Sequence, residues 1–371
     1  MMDAGKLGRI LKSMEEHDVP QLIISDPLAI YYLVGKKIAP GERMLALLLN
    51  VNGNHKMVIN ELFPQDEDLG VELVWYNDIQ DGVEILSQFI EKDKTVGIDK
   101  TWPSRFLIRL QELGAGSKFV NGSPIVDYVR MIKDEHEQEL MRKASLENDK
   151  IMEQLIPMVV KGYTELELNA IVRDMYKKAG HSDVSFDPIT GYGRSGADPH
   201  HVTDNTKGKR GDSVVLDIGG ILDNYCSDMT RTVFIGEVSD RAREVYEVVK
   251  EAQARGLAAA KPWGHLGDIA DAINTHAQAN GYSVVVDIGG HGIGLEFHED
   301  PFVSYVTPKG SEMLLVPGMM FTIEPMINEG SPDFFVDEDN DWTIYTIDDG
   351  LSAQIEYMVL VKEDGIEILT K

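Results

Sequence analysis

Residues 214–230 read VVLDIGGILDNYCSDMT. Two strand-like apolar runs flank a turn, and each run carries an aspartate, Asp217 and Asp228. A loop at Leu222-Asp223 sets these two directly opposite each other across an antiparallel pair. A loop at Asp223-Asn224 sets Asp217 against Thr230 and leaves Asp228 as a diagonal neighbour. Both arrangements keep the aspartates on one face, because a slip of two residues preserves side-chain parity. Direct opposition brings the Cβ atoms to roughly 5 Å, where like charges repel. A cation between them removes the repulsion. Asp223 reads as an exposed turn residue, whereas Val214, Val215, Leu216 and Ile218 draw Asp217 inward.

Downstream, GGHGIGLEFHEDP at 289–301 supplies His291 and His298, FTIEPM supplies Glu324, and SAQIEYMVLV supplies Glu356. Isolated buried charges are costly, so several carboxylates inside apolar runs call for a shared partner. Four carboxylates and one imidazole suit Mn²⁺, and less selectively Co²⁺, Fe²⁺ or Zn²⁺. An internal echo strengthens the grouping. RGDSVVLDIG and PGMMFTIEPM each place an acidic residue six positions after a glycine, Gly211 to Asp217 and Gly318 to Glu324. Two related half-units, each supplying ligands to one central site, would produce it.

The chain has 371 residues, of which 43% are hydrophobic, enough for a substantial core in two domains. Its 62 acidic and 35 basic residues give a formal charge of −27. Nucleic acid and anionic membranes both select concentrated positive charge, so neither is expected as a partner. The lone Cys226 forms no internal disulfide and fits a reducing cytoplasm. MMDAGKLGRILKS lacks a signal peptide's apolar stretch, and the run MLALLLNV is too short to span a bilayer.

Residues 5–18 pattern as an amphipathic helix. The runs PQLIIS, IYYLVG, MLALLLNV, HKMVIN, VELVWY and TVGID follow, with helical stretches such as DGVEILSQFIEKD between them. These predict a smaller mixed α/β domain over 1–122 with no catalytic constellation. A long charged helix is expected from about Ser123, through RMIKDEHEQELMRKA, opening a second, α+β or α/β domain over 123–371. Thr164-Glu165-Leu166-Glu167 is a capping box for a helix stopping near Gly180. Ser239 caps a helix to about Ala260, and DIADAINTHAQAN forms one ending at Gly281. GYGRSG at 191–196 satisfies GxGxxG, but Pro199 opposes the helix that a dinucleotide site needs. HExxH does not occur.

In order, D-x10-D, GHGIGxxxHEDP, TIEP and SAQxE resemble the metallopeptidase family that includes prolidase, aminopeptidase P and methionine aminopeptidase. The resemblance implies a pita-bread catalytic fold behind a creatinase-like N-terminal domain, as in the two-domain prolidase branch. Carried over motif by motif, it makes Asp217, Asp228, His291, Glu324 and Glu356 ligands to two divalent ions, Mn²⁺ or Co²⁺ first, Zn²⁺ or Fe²⁺ as alternatives. It makes Glu324 the proton carrier and His298 the substrate-contacting histidine. His200 of ADPHH is the family's other active-site histidine, with His201 as the alternative. Two such ions share a water and lower its pKa toward neutrality. The resemblance also implies a homodimer acting on short peptides.

Three positions depart from prolidases. The last ligand sits in Gln354-Ile355-Glu356-Tyr357 rather than R-I-E-D, and Asp287-Ile288 stands where His-Arg often precedes GHG. The SAQ-E form is nearer methionine aminopeptidases. A missing arginine removes a partner for a substrate carboxylate. The expectation is Xaa-Pro cleavage with a looser length limit. Methionine aminopeptidase specificity, a creatinase-like C–N hydrolase and a non-catalytic peptide-binding module are the rivals.

Overall fold

The computed structural model describes residues 1–286, 288–329, 333–336, 344–346 and 351–371. Asp287, one of the departures above, lies outside them. The chain divides into two compact units, Met1–Arg130 and Met131–Lys371.

The first unit is a six-stranded mixed sheet with helices. It contains α1 (Ala4–Glu16), β1 (Gln21–Ile24), α2 (Pro27–Val34), β2 (Ala46–Asn50), β3 (Lys56–Asn60) and β4 (Glu72–Tyr76). It continues through α3 (Gly82–Ser87), β5 (Thr95–Ile98), α4 (Ser104–Glu112), β6 (Lys118–Asn121) and α5 (Ser123–Met131). The sheet order is β4-β3-β2-β1-β5-β6. Its central strands are buried on both faces, which explains why they read as unbroken apolar runs. One of those runs, IYYLVG, is helical. Asp26 caps α2 through the Ala29 N–H, Pro27 occupies the first turn, and Gly35 ends it at φ +71°. Terminus chemistry outweighs the β-propensity of Ile and Tyr there.

The second unit opens with α6 (Glu135–Leu155) and α7 (Glu165–Lys178). The charged helix expected from Ser123 is therefore two helices. Asp134 caps α6 in a reciprocal capping box with Glu137, which ends α5 and starts a new helix. The caps at Thr164 and Ser239 form as expected. Then come β7 (Asp183–Val184), β8 (Ile189–Tyr192), β9 (Ser213–Ile218), β10 (Gly220–Leu222), β11 (Tyr225–Cys226) and β12 (Met229–Phe234). Helices α8 (Asp240–Ala259) and α9 (Leu266–Ala279) follow, then β13 (Tyr282–Val284), β14 (Gly290–Gly292), β15 (Glu299–Val303), β16 (Met320–Ile323) and β17 (Met326–Glu329). The last elements are β18 (Phe334–Val336), β19 (Ile344–Thr346), β20 (Ser352–Gln354), β21 (Tyr357–Lys362) and β22 (Gly365–Ile368).

The echo between the two glycine-led runs has a structural counterpart. Gly211 and Gly318 precede β9 and β16 with φ of +99° and +95°, a region that favours glycine. One core joins α6 and α7 to β8, β9 and β12, and a second joins α8 and α9 to β16 and β21. Each helix pair thus backs a sheet that carries acidic residues in or beside its strands: Asp217 in β9, Asp228 just before β12, Glu324 just after β16 and Glu356 just before β21.

Candidate metal centre

The hairpin adopts the second of the two registers. Leu222 pairs with Tyr225, and Thr230 pairs with Asp217. Asp223 and Asn224 both have positive φ, 49° and 75°, the geometry of a two-residue type I′ turn. Asp228 is therefore the diagonal neighbour of Asp217, on the same face. On the other half, Ile323 pairs with Tyr357, so Glu324 and Glu356 occupy the next opposed positions. The Glu356 N–H donates to the Thr230 carbonyl at 3.1 Å, tying the two halves together.

His291 sits in β14, with Nε2 3.3 Å from Asp228 Oδ2 and 3.5 Å from Glu324 Oε1. Its Nδ1 lies 3.0 Å from the Gly292 carbonyl. A carbonyl only accepts, so Nδ1 carries a proton, and Nε2 is the nitrogen directed at the carboxylates. The glycines around His291 allow close approach: a Cβ on Gly290 would lie 2.2 Å from the Thr322 carbonyl. Ligand atoms of Asp228, His291 and Glu356 all fall within 4.8 Å of one another.

Glu324 Oε1 accepts from Thr322 Oγ1 at 2.6 Å, and Oε2 from Gln354 Nε2 at 3.2 Å. Glu356 Oε2 accepts from Thr230 Oγ1 at 2.9 Å. Burial raises the pKa of all four carboxyls well above the usual range. Their mutual repulsion adds to it, from Glu356 at Asp217 and Glu324, and from Asp217 and Asp228 at Asp228 and Glu356 respectively. Asp217 Oδ1, Asp228 Oδ1 and Glu356 Oε1 are buried without a hydrogen-bond partner. Native interiors rarely leave such oxygens unpaired. Four mutually destabilised carboxylates, three orphaned oxygens and an imidazole nitrogen fit hard or borderline divalent cations.

His298 lies beside this cluster, its ring centroid 4.2 Å from that of His291 and 4.2 Å from that of Phe297. Burial, then the His291 and His200 charges, push its pKa down to about 4. His200 lies near enough for its charge to act on His298. His201 points elsewhere: Nε2 is 2.6 Å from Glu165 Oε2, in a pair whose side chains are 7% and 0% exposed. A small pocket lined by Pro199, Val285, Ile288, Met326 and Asn328, among others, adjoins the segments of His200 and Glu324.

The motif reading missed Thr230 and Thr322. Each stands two residues from a carboxylate on the same strand, in D-x-T and T-x-E, so parity alone puts hydroxyl and carboxylate on one face. Gln354 was noted only for what it replaces. Its amide is instead engaged with Glu324.

A buried polycarboxylate site of this kind, built from two backed sheets, defines a metal-dependent hydrolase. The profile of metallopeptidase family M24 matches residues 139–363, and that of the creatinase/prolidase N-terminal domain matches residues 6–132. The chain is 30% identical over 370 residues to Xaa-Pro dipeptidase of Pyrococcus furiosus, covering 99% of this chain and 97% of that one. It is 39% identical over 241 residues to methionine aminopeptidase A of a Synechocystis species, covering 63% of this chain and 94% of that one. The solved prolidase from Pyrococcus furiosus superposes with a TM-score of 0.80 at 28% identity, covering 97% of this chain and 99% of that one. The chain belongs to metallopeptidase family M24, in its two-domain branch: a creatinase-type N-terminal domain precedes a pita-bread catalytic domain.

Proposed function

We propose that this metallopeptidase is a dinuclear enzyme that hydrolyses the N-terminal peptide bond of short peptides, with Xaa-Pro bonds as its substrate class. The observation that carries the reading is the cluster of Asp217, Asp228, His291, Glu324 and Glu356 with its orphaned carboxylate oxygens. These five residues are the ligands, and Mn²⁺ or Co²⁺ is the native metal. Two such ions, when bound, supply an activated water at neutral pH and Lewis-acid polarisation of the scissile carbonyl.

The chain's own residues do the rest. Glu324 takes the proton from the attacking water as the new C–O bond forms. It returns that proton to the amide nitrogen as the C–N bond breaks. Thr322 and Gln354 fix both of its oxygens for the transfer. His298, with a pKa of about 4, is neutral at pH 7 and donates an N–H to the developing oxyanion. His200, near enough for its charge to act on His298, positions the scissile bond.

Similarity along the whole chain to an Xaa-Pro dipeptidase favours the Xaa-Pro class. Gln354 is neutral and its amide is turned to Glu324, so this position offers no charge to a substrate carboxylate, which favours a looser length limit. A second reading, methionine aminopeptidase specificity, is favoured by the SAQ-E motif and by the identity over the catalytic part. The acidic composition and lone cysteine favour a cytoplasmic enzyme without nucleic-acid or membrane partners, and the family a homodimer. Among the described residues no helix is long and apolar enough to cross a membrane. The test compares kcat/KM for Ala-Pro, Ala-Pro-Ala and Met-Ala-Ser. Preference for Met-Ala-Ser overturns the Xaa-Pro assignment. A strict preference for Ala-Pro keeps the class and removes the length argument.

A further inference from the structure

The residues 132–137, which open α6, enter three segments that carry the candidate site. The Lys133 N–H donates to the Gly318 carbonyl at 2.8 Å, and Ile132 bridges Met319, at the start of the strand leading to Glu324. Glu137 Oε1 accepts from the Tyr225 hydroxyl at 2.9 Å, three residues before Asp228. Lys133 Nζ lies 2.9 Å from Glu299 Oε2, with side chains only 1% and 6% exposed.

Glu299 directly follows His298. Its other oxygen accepts the Glu296 N–H at 3.1 Å, so this one carboxylate closes the loop that presents His298. The loop has no slack around it: a Cβ on Gly294 would lie 2.8 Å from both Glu299 oxygens. A buried ion pair is a poor device for stability alone, since an apolar pair of similar volume often does as well. What it supplies here is a fixed position for the carboxylate, and hence for the neighbouring imidazole.

We infer that Lys133 is a positioning residue for His298, acting through its buried ion pair with Glu299. The inference rests on the reading that His298 contacts the substrate during peptide hydrolysis. A displacement near 1 Å at such a group costs about 100-fold in rate.

The test uses the full Mn²⁺-loaded chain, with Lys133→Met and the double variant Lys133→Met/Glu299→Gln, which leaves no stranded charge. Readouts are kcat, KM, metal content and melting temperature. Lys133→Met is expected to lower both melting temperature and kcat, the latter at least about tenfold. KM should stay within about threefold and metal content should not change. The double variant should recover melting temperature without recovering kcat. Recovery of kcat together with melting temperature overturns the inference, because the pair then only holds the fold. If Lys133→Met does not fold, the double variant decides: kcat within about twofold of the parent overturns the inference. Imidazole NMR of the chelated chain reads positioning without turnover. His298 resonances should shift in the double variant while those of His201 stay. Unshifted His298 overturns the inference, and this arm holds even if the parent protein hydrolyses no peptide.

Discussion

Chelation should lower the melting temperature of the catalytic domain, and by an amount that depends on pH in a definite sense. Asp217, Asp228, Glu324 and Glu356 are buried together, and burial followed by mutual repulsion raises each pKa. A carboxyl whose folded pKa is raised destabilises the fold when ionised. The metal-free fold therefore gains stability as pH falls through those raised values. The loaded fold needs the same carboxylates deprotonated, so its advantage is full above the raised pKa values and is lost as pH falls through them. With free Mn²⁺ about 1,000-fold above its Kd, one site contributes about 4 kcal/mol. At 2–4 °C per kcal/mol for a domain of this size, that is a rise of about 8–16 °C. Paired surface carboxylates such as Asp78, Asp81 and Glu367, which titrate low, cancel in the difference between loaded and chelated protein. Scanning calorimetry of both forms at about pH 7.5 and about pH 5.5 reads the gap directly. The gap should be large at the higher pH and shrink at the lower. Equal melting temperatures with and without Mn²⁺, or a gap that widens toward acid, would refute the reasoning.

Glu324→Gln should lower kcat by about 100-fold or more, since it removes the proposed proton carrier; steady-state assays on the preferred peptide measure it. His298→Ala should lower kcat by about 100-fold and leave the metal in place by mass spectrometry. Loss of metal instead would mean that the roles of His291 and His298 are exchanged. His201→Ala should act on stability, costing about 1–3 kcal/mol, because the buried Glu165 carboxylate loses its imidazole partner while keeping the Tyr192 and Asp204 N–H donors. Burial pulls the His201 pKa down, but hydrogen bonding and charge from Glu165 win and raise it. Its contribution is therefore complete below the ordinary histidine value and fades as pH rises through the folded one. Denaturation at pH 6 and pH 9 should show the larger loss at pH 6, with kcat changed by less than about tenfold.

The carboxylates are readable as a group because Asp217, Glu324 and Glu356 sit in apolar runs where a solvated charge is out of place, whereas His291 is carried by the GHG motif and the family resemblance. The register of the first hairpin was left open by parity, although Asp223-Asn224 is a better type I′ pair than Leu222-Asp223. Helix α2 was hidden in IYYLVG, and the break at Asp134 was hidden in a continuous charged pattern. In both places the signal is a cap: Asp26 with Pro27 for α2, and Asp134 with Glu137 for α6. That His201 is held by Glu165 is not readable from ADPHH, because the contact is 36 residues away in sequence. Lys133 is less legible still. Its partner Glu299 is 166 residues distant, and nothing local to RMIKDEH announces it.

The most direct test of the account is hydrolysis of Ala-Pro by exhaustively chelated protein, before and after Mn²⁺ is added back, with metal content measured on the same samples. The account predicts negligible turnover without metal and recovery that saturates near two ions per chain, because five ligands with four carboxylates exceed what one ion needs. Full turnover in protein free of divalent metal would contradict it.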